Sequence, residues 1–456
     1  MSTQDQEPKR PPERALRDGR ALQAAIADGS ATRESGLNGR DIEDEGTRFR
    51  VFSHLRLDAA RRELADVDRD HGSNIRSEVD GLRLSIKGNI PHRDLPWTEG
   101  VAGFRGRRAD NTAAAVARLE AAGAVTIGTT TLTELAMYAP DNPSEPVALN
   151  PWAPSRTPGG SSSGAGAAAA LGLAEINLCT DAGGSTRNPA LHCGVFGFKP
   201  SLGRWTFEGL PSYAPALDTL GVICRSMEDV IATDGILAEI FPEASTQPLR
   251  LRIPEHLLSH CDRITRTLFD ALVEAIAAQG IAIDPITIAS WEEAERSAGI
   301  LSRFQATRAI GPELRRDLSP RLQARLAASD ETTEAEAARA ADACEMLRRE
   351  LPQLLDAGDV VLTPGWPFRA PHVHQTHVVV QGVRTSVEPA RNIFVRAANA
   401  ARAPALSVPA GCYPGQVPFG LHLMAEEGAD LRVLHAGRAI STIVSRLSGR
   451  DPARRY

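Results

Sequence analysis

Residues 159–166 read Gly-Gly-Ser-Ser-Ser-Gly-Ala-Gly, and how this stretch is understood decides the organisation of the rest. A flexible Gly/Ser linker is flanked by disordered sequence, but here Arg156-Thr157-Pro158 precedes it and a run of helix formers, Ala165 to Leu173, follows. Gly164-Ala165-Gly166 with Ala169 matches a GxGxxA dinucleotide fingerprint in form, yet no hydrophobic strand leads into it. A phosphate loop ends in Gly-Lys-Ser/Thr, which is absent. The remaining reading couples the stretch to a second Gly/Ser segment, Cys179-Thr180-Asp181-Ala182-Gly183-Gly184-Ser185-Thr186-Arg187-Asn188-Pro189-Ala190. There a strand ends in Asp181, and the backbone amides of Ala182, Gly183, Gly184 and Ser185 can converge without side-chain obstruction. Such a nest serves an oxyanion, and a serine at its end is placed to attack the carbonyl whose oxygen the amides hold.

Outward from these segments, strand-like and helix-like stretches alternate. Leu82 to Ile86 reads as a strand, Thr112 to Ala122 as a helix with Gly123 as its C-cap, Ala124 to Ile127 as the next strand, and Ile176 to Cys179 as a buried one. Ala15 to Ile26 and Ala59 to Val67 carry helical periodicity. Residues 245–352 differ, with a strand at Leu249 to Ile253 and long amphipathic helices at Ile264 to Gln279 and Glu334 to Leu351. They form a mainly helical excursion that would cover a pocket. Strands return at Val360 to Thr363 and Ala405 to Val408, before a final helix from Ala429 to Leu447. A sheet drawn from both ends of the chain predicts an α/β fold: one large layered domain over residues 15–456, with a central mixed, twisted β-sheet flanked by helices. Residues 1–14, polar and Pro-rich, read as a disordered lead-in.

The composition of the 456 residues, 42% hydrophobic and 24% charged with a net charge of -6, is that of a globular chain with no general attraction to nucleic acid or an anionic membrane. The longest small-apolar run, Ala165 to Ala174, is too short for the roughly 20 residues of a membrane span. No secretory leader is evident, so the chain reads as cytoplasmic. Six cysteines lie far apart without a CxxC pair, which predicts reduced thiols. Among 51 Lys and Arg residues only Lys9, Lys87 and Lys199 are lysines. Lys87 ends the strand-like Leu82-Arg83-Leu84-Ser85-Ile86-Lys87-Gly88-Asn89, and a buried amine there can lose its proton whereas a guanidinium cannot. That makes Lys87 a candidate base.

GGSSSG, with the serine of DAGGSTR following 24 residues after Ser161, SIKGN upstream and GFKPSLGR downstream, resembles the amidase signature family. Leu119 to Gly128 (LEAAGAVTIG), Asn150-Pro151-Trp152 and Ala403 to Gly411 (APALSVPAG) extend the similarity over roughly residues 15–445. The resemblance implies an amidohydrolase with a Ser-cisSer-Lys triad: Ser185 as nucleophile, Ser161 after a cis peptide as bridge, and Lys87 as base, with the amides of Ala182 to Ser185 as oxyanion donors. By position it also assigns Leu135, Met137 and Tyr138 to an acyl pocket. Ser162 would hydrogen-bond the turn or help orient Lys87, Asp181 and Arg187 would form a structural ion pair, and Lys199 would neutralise backbone carbonyls. Two departures stand out: Gly88 follows the lysine where the family commonly has an acid, and Thr186 follows the nucleophile where an aliphatic residue is usual.

The expected partner is a small amide, hydrazide or carbamoyl compound, with no cofactor, no direct nucleic acid and no membrane, and with room for a homodimer. Two other functions fit parts of the sequence. One is the A-type subunit of a glutamine-dependent amidotransferase. The other is a metal-dependent amidohydrolase using His372, His374 and His377, although Pro371 precedes them and no acidic residue lies close.

Overall fold

The computed structural model describes residues 19–137, 142–240 and 247–447, so the lead-in expected at 1–14 lies outside the described residues. Its centre is one sheet of eleven strands: β1 (Phe52–Leu55), β2 (Arg83–Lys87), β3 (Val125–Thr130), β4 (Ile176–Asp181), β5 (Phe196–Lys199), β6 (Thr219–Cys224), β7 (Arg250–Ile253), β8 (Ala282–Pro285), β9 (Asp359–Pro364), β12 (Ala405–Tyr413) and β13 (Val417–Met424). Their spatial order is β1-β3-β2-β4-β6-β5-β12-β13-β9-β7-β8. β2 pairs in parallel with β3 and β4, and β7 with β8 and β9, while the remaining neighbours are antiparallel. The mixed sheet is thus as expected, and its middle is closed where β5 meets β12 from the far end of the chain. β10 (His377–Val380) and β11 (Val383–Ser386) form a separate hairpin.

β3, β4 and β6 are buried end to end, as strands covered on both faces must be. Leu84, Ile86, Leu178, Val222 and Phe198 share one core with Val230 and Leu434, which belong to the helices Met227–Ala238 and Asp430–Leu447. The short helix Ser163–Leu171 is built almost wholly of Ser, Gly and Ala because it lies against the strand ends: a Cβ on Gly164 would fall 2.4 Å from the carbonyl oxygen of Val51.

The excursion differs in one respect from its expectation. Besides its helices and the expected strand β7, it supplies a second strand, β8, and the two extend the main sheet at its edge. Ala282–Pro285 lacks a buried alternating face, which is why its strand character was not visible in the sequence. The helices Trp291–Ala309, Pro320–Asp330 and Glu334–Leu354 pack together, anchored where buried Trp291 donates its Nε1 hydrogen to the Ile393 carbonyl at 2.7 Å.

Candidate active site

Lys87 stands at the last position of β2, paired beside Thr130 of β3, with no exposed surface. Its Nζ lies 2.7 Å from Ser161 Oγ, 2.9 Å from Thr180 Oγ1 and 3.4 Å from the Thr180 carbonyl. Burial without a carboxylate partner pulls the amine down to about 8, so near neutral pH a useful fraction carries a free lone pair. Ser161 is held by the turn before Ser163–Leu171, and the Gly160–Ser161 peptide is cis. Gly159 leads into it with φ +82°, and a Cβ there would sit 2.7 Å from Pro189 Cα, so only glycine fits.

The second segment is fixed by a buried ion pair. Arg187 donates to both oxygens of Asp181 (3.0 and 3.2 Å), to Asn399 Oδ1 at 2.6 Å and to the Val395 carbonyl, and its Nη1 lies 2.9 Å from His422 Nε2. The guanidinium and the donors around it hold the Asp181 carboxyl well below the usual range, against the opposing effect of its burial. The ion pair expected of Asp181 and Arg187 is therefore present. It also corrects the oxyanion set: Gly184 donates its N–H to Asp181 Oδ1 at 2.7 Å, as Thr186 does to Oδ2 at 3.0 Å. With its hydrogen turned to the carboxylate, Gly184 is withdrawn from the expected donors, leaving Ala182, Gly183 and Ser185. Its φ of +104° makes that turn possible.

Ser185 is half-buried and lines a cavity of about 140 Å³ together with Ser161, Thr180, Ala182 and Gly183. No hydrogen bond engages its Oγ among the described residues, and its carbonyl accepts the Ser162 N–H at 3.3 Å. Ser162 supports the site through this backbone contact; its side chain does not reach Lys87, whose orientation comes from Thr180 instead. Thr180 in turn accepts from Asn89 Nδ2 at 3.1 Å. Neither Thr180 nor Asn89 was singled out by the sequence. The available signal was alternation along β4, which turns Thr180 away from the face shared by Cys179 and Asp181.

Leu135 and Met137 line the same cavity, and Phe207 and Tyr213 add aromatic surface; Tyr138 lies outside the described residues. Ser302, Arg303, Ala306, Leu326 and Ser329 come from the excursion, which therefore roofs the cavity. His372, His374 and His377 are all exposed, the last on β10, and none reaches this cavity. Among the described residues no group of three or more His, Cys, Asp or Glu side chains could hold a metal ion. Lys199 is buried on β5 and donates to the Pro200 carbonyl at 2.7 Å.

A family model described as Amidase matches residues 45–434. The chain belongs to the amidase family. The A-type subunit of the glutamyl-tRNA(Gln) amidotransferase of Thermus thermophilus is 32% identical over 418 residues, which span 82% of this chain and 86% of that one. The indoleacetamide hydrolase of Pseudomonas savastanoi is 33% identical over 257 residues, 55% of this chain and 56% of that one. A crystal structure of an amidase superposes with a TM-score of 0.86 at 28% identity, over 93% of this chain and 99% of the other. A 6-aminohexanoate cyclic dimer hydrolase, at 19% identity and a TM-score of 0.81 over 97% of this chain and all of that one, shares the fold. This amidase is accordingly a hydrolase of amide C–N bonds, in a family of which the Ser-cisSer-Lys triad is characteristic.

Proposed function

We propose that the chain cleaves a small amide through an acyl-enzyme on Ser185, with Ser161 and Lys87 relaying the proton. The observation that carries this reading is the 2.7 Å contact between Lys87 Nζ and Ser161 Oγ beside the cavity that Ser185 lines. Neutral Lys87 accepts the Ser161 proton as Ser161 takes one from Ser185, whose oxygen adds to the amide carbonyl. The amides of Ala182, Gly183 and Ser185 receive the developing oxyanion. Reversal of the relay protonates the leaving amine, and water then releases the acyl group by the same route. Leu135 and Met137 line the acyl side. The test is hydrolysis of a panel of amides, hydrazides, ureas and esters by the wild type and by Ser185→Ala. Turnover unaffected by the substitution would refute the mechanism.

A second reading is favoured by the 32% identity to the A-type component of an amidotransferase over most of both chains. In it the same triad releases ammonia from glutamine inside a complex. Turnover of simple amides by the isolated chain argues for the first reading; glutaminase activity that appears only with the other components of such a complex argues for the second.

A further inference from the structure

The cavity that holds Ser185 is lined by four arginines, Arg303, Arg325, Arg391 and Arg396, and among the described residues by one carboxylate, Asp218. Asp218 is engaged through one oxygen: its Oδ2 accepts from Ser212 Oγ at 2.7 Å, from Ala214 N at 2.8 Å and from Tyr213 N at 3.0 Å. Two of the arginines have acidic partners outside the cavity lining, Arg325 with Glu388 and Arg396 with Glu295, each at 2.8 Å. Arg303 has no ion pair and no side-chain hydrogen bond among the described residues, and the Glu388 carboxylate, paired with Arg325, offsets its charge only in part.

Its position gives that charge a purpose. Arg303 and Met137 line both the inner cavity and an adjoining one of about 690 Å³, so both stand at the junction between them. Gly299, one turn earlier on the helix Trp291–Ala309, clears the space: a Cβ there would lie 2.9 Å from Arg396 Nη1 and 3.6 Å from Arg303 Nη1. Two guanidinium groups are thus brought over one bare patch of helix, and burial together with the charges of Arg325 and Arg396 lowers the Arg303 pKa. Like charges brought this close together are relieved by an anion. The same cavity is also lined by the apolar side chains of Leu135, Met137, Phe207 and Leu326.

We infer that the substrate is an amide whose apolar acyl chain ends in a carboxylate held by Arg303, the monoamide of a dicarboxylic acid. The planar guanidinium suits a carboxylate in a two-point contact. The inference rests on the acyl-enzyme reading, and the two can fail separately.

The experiment labels Ser185 with a fluorophosphonate and measures protection by the monoamides of glutaric, adipic and pimelic acids against pentanamide, hexanamide and heptanamide. In the wild type the best monoamide should protect at concentrations at least about tenfold below its neutral counterpart. Arg303→Met should bring that ratio close to one, and Arg303→Lys should retain part of it. Equal protection by both series, protection by neither, or a preference that survives Arg303→Met overturns the inference. Absence of labelling in the wild type, or labelling that persists in Ser185→Ala, overturns the acyl-enzyme reading itself.

Discussion

Lys87 and Lys199 lie on strands of the same sheet, are both completely buried, and are both pulled down by that burial, to about 8 and about 7. By burial alone Lys199 is as ready to lose a proton as Lys87. Yet its Nζ meets the carbonyl of the next residue, which has no proton to give, and it does not line the cavity. Lys87 meets a hydroxyl that does line it. Desolvation prepares an amine for base chemistry; a proton-bearing neighbour with access to the reacting atoms decides whether that readiness is used.

The sharpest way to break this comparison is Lys87→Met, which keeps side-chain volume and removes the base. It should lower kcat by about 10²–10⁴-fold with thermal unfolding little changed; a loss below tenfold would put the two lysines on an equal footing. The wild-type kcat/KM should rise with pH along a limb centred near 8, because below its pKa Lys87 already holds the proton it must accept. Thr180→Val removes an oxygen that accepts from Nζ and so favours the charged amine. The limb should then move to lower pH by about one unit, read from the pH profile of kcat/KM. The smallest effect on turnover is expected from Lys199→Met, within about threefold.

The signature of Lys199→Met belongs to stability instead. Between the folded pKa near 7 and the unfolded value near 10.4, the unfolded chain binds a proton that the folded chain does not. Relative to the variant, the wild type therefore loses stability as pH falls through that window and regains it as pH rises, with no further change below it. Urea unfolding of both proteins across the window checks the sign.

The catalytic floor was legible because its chemistry lies in local strings. Lys87 ends a strand, Ser161 follows a glycine pair, Ser185 ends a Gly-rich turn, and each keeps that place in the fold. What was not legible is what arrives from far along the chain. Arg187 is held by Asn399 and His422, more than two hundred residues away, and no local spacing announces either. The Gly184 amide looked free because the sequence does not say which way a peptide turns; the Asp181 carboxylate decides it. Arg303 was hidden for a compositional reason: in a chain whose basic residues are nearly all arginine, one more carries no signal.

The sheet order has a consequence for how the protein comes into being. β5 is bordered by β12, and β12 by β13, so residues 196–199 wait for residues 405–424 before their side of the sheet is complete. The cage of Arg187 likewise waits for residues 395–422, because Val395, Asn399 and His422 are its walls. During synthesis the triad residues leave the ribosome in the first half of the chain, but the loop bearing Ser185 acquires its last support only when His422 emerges. The last contacts that fix this loop are thus among the latest to become available to the growing polypeptide.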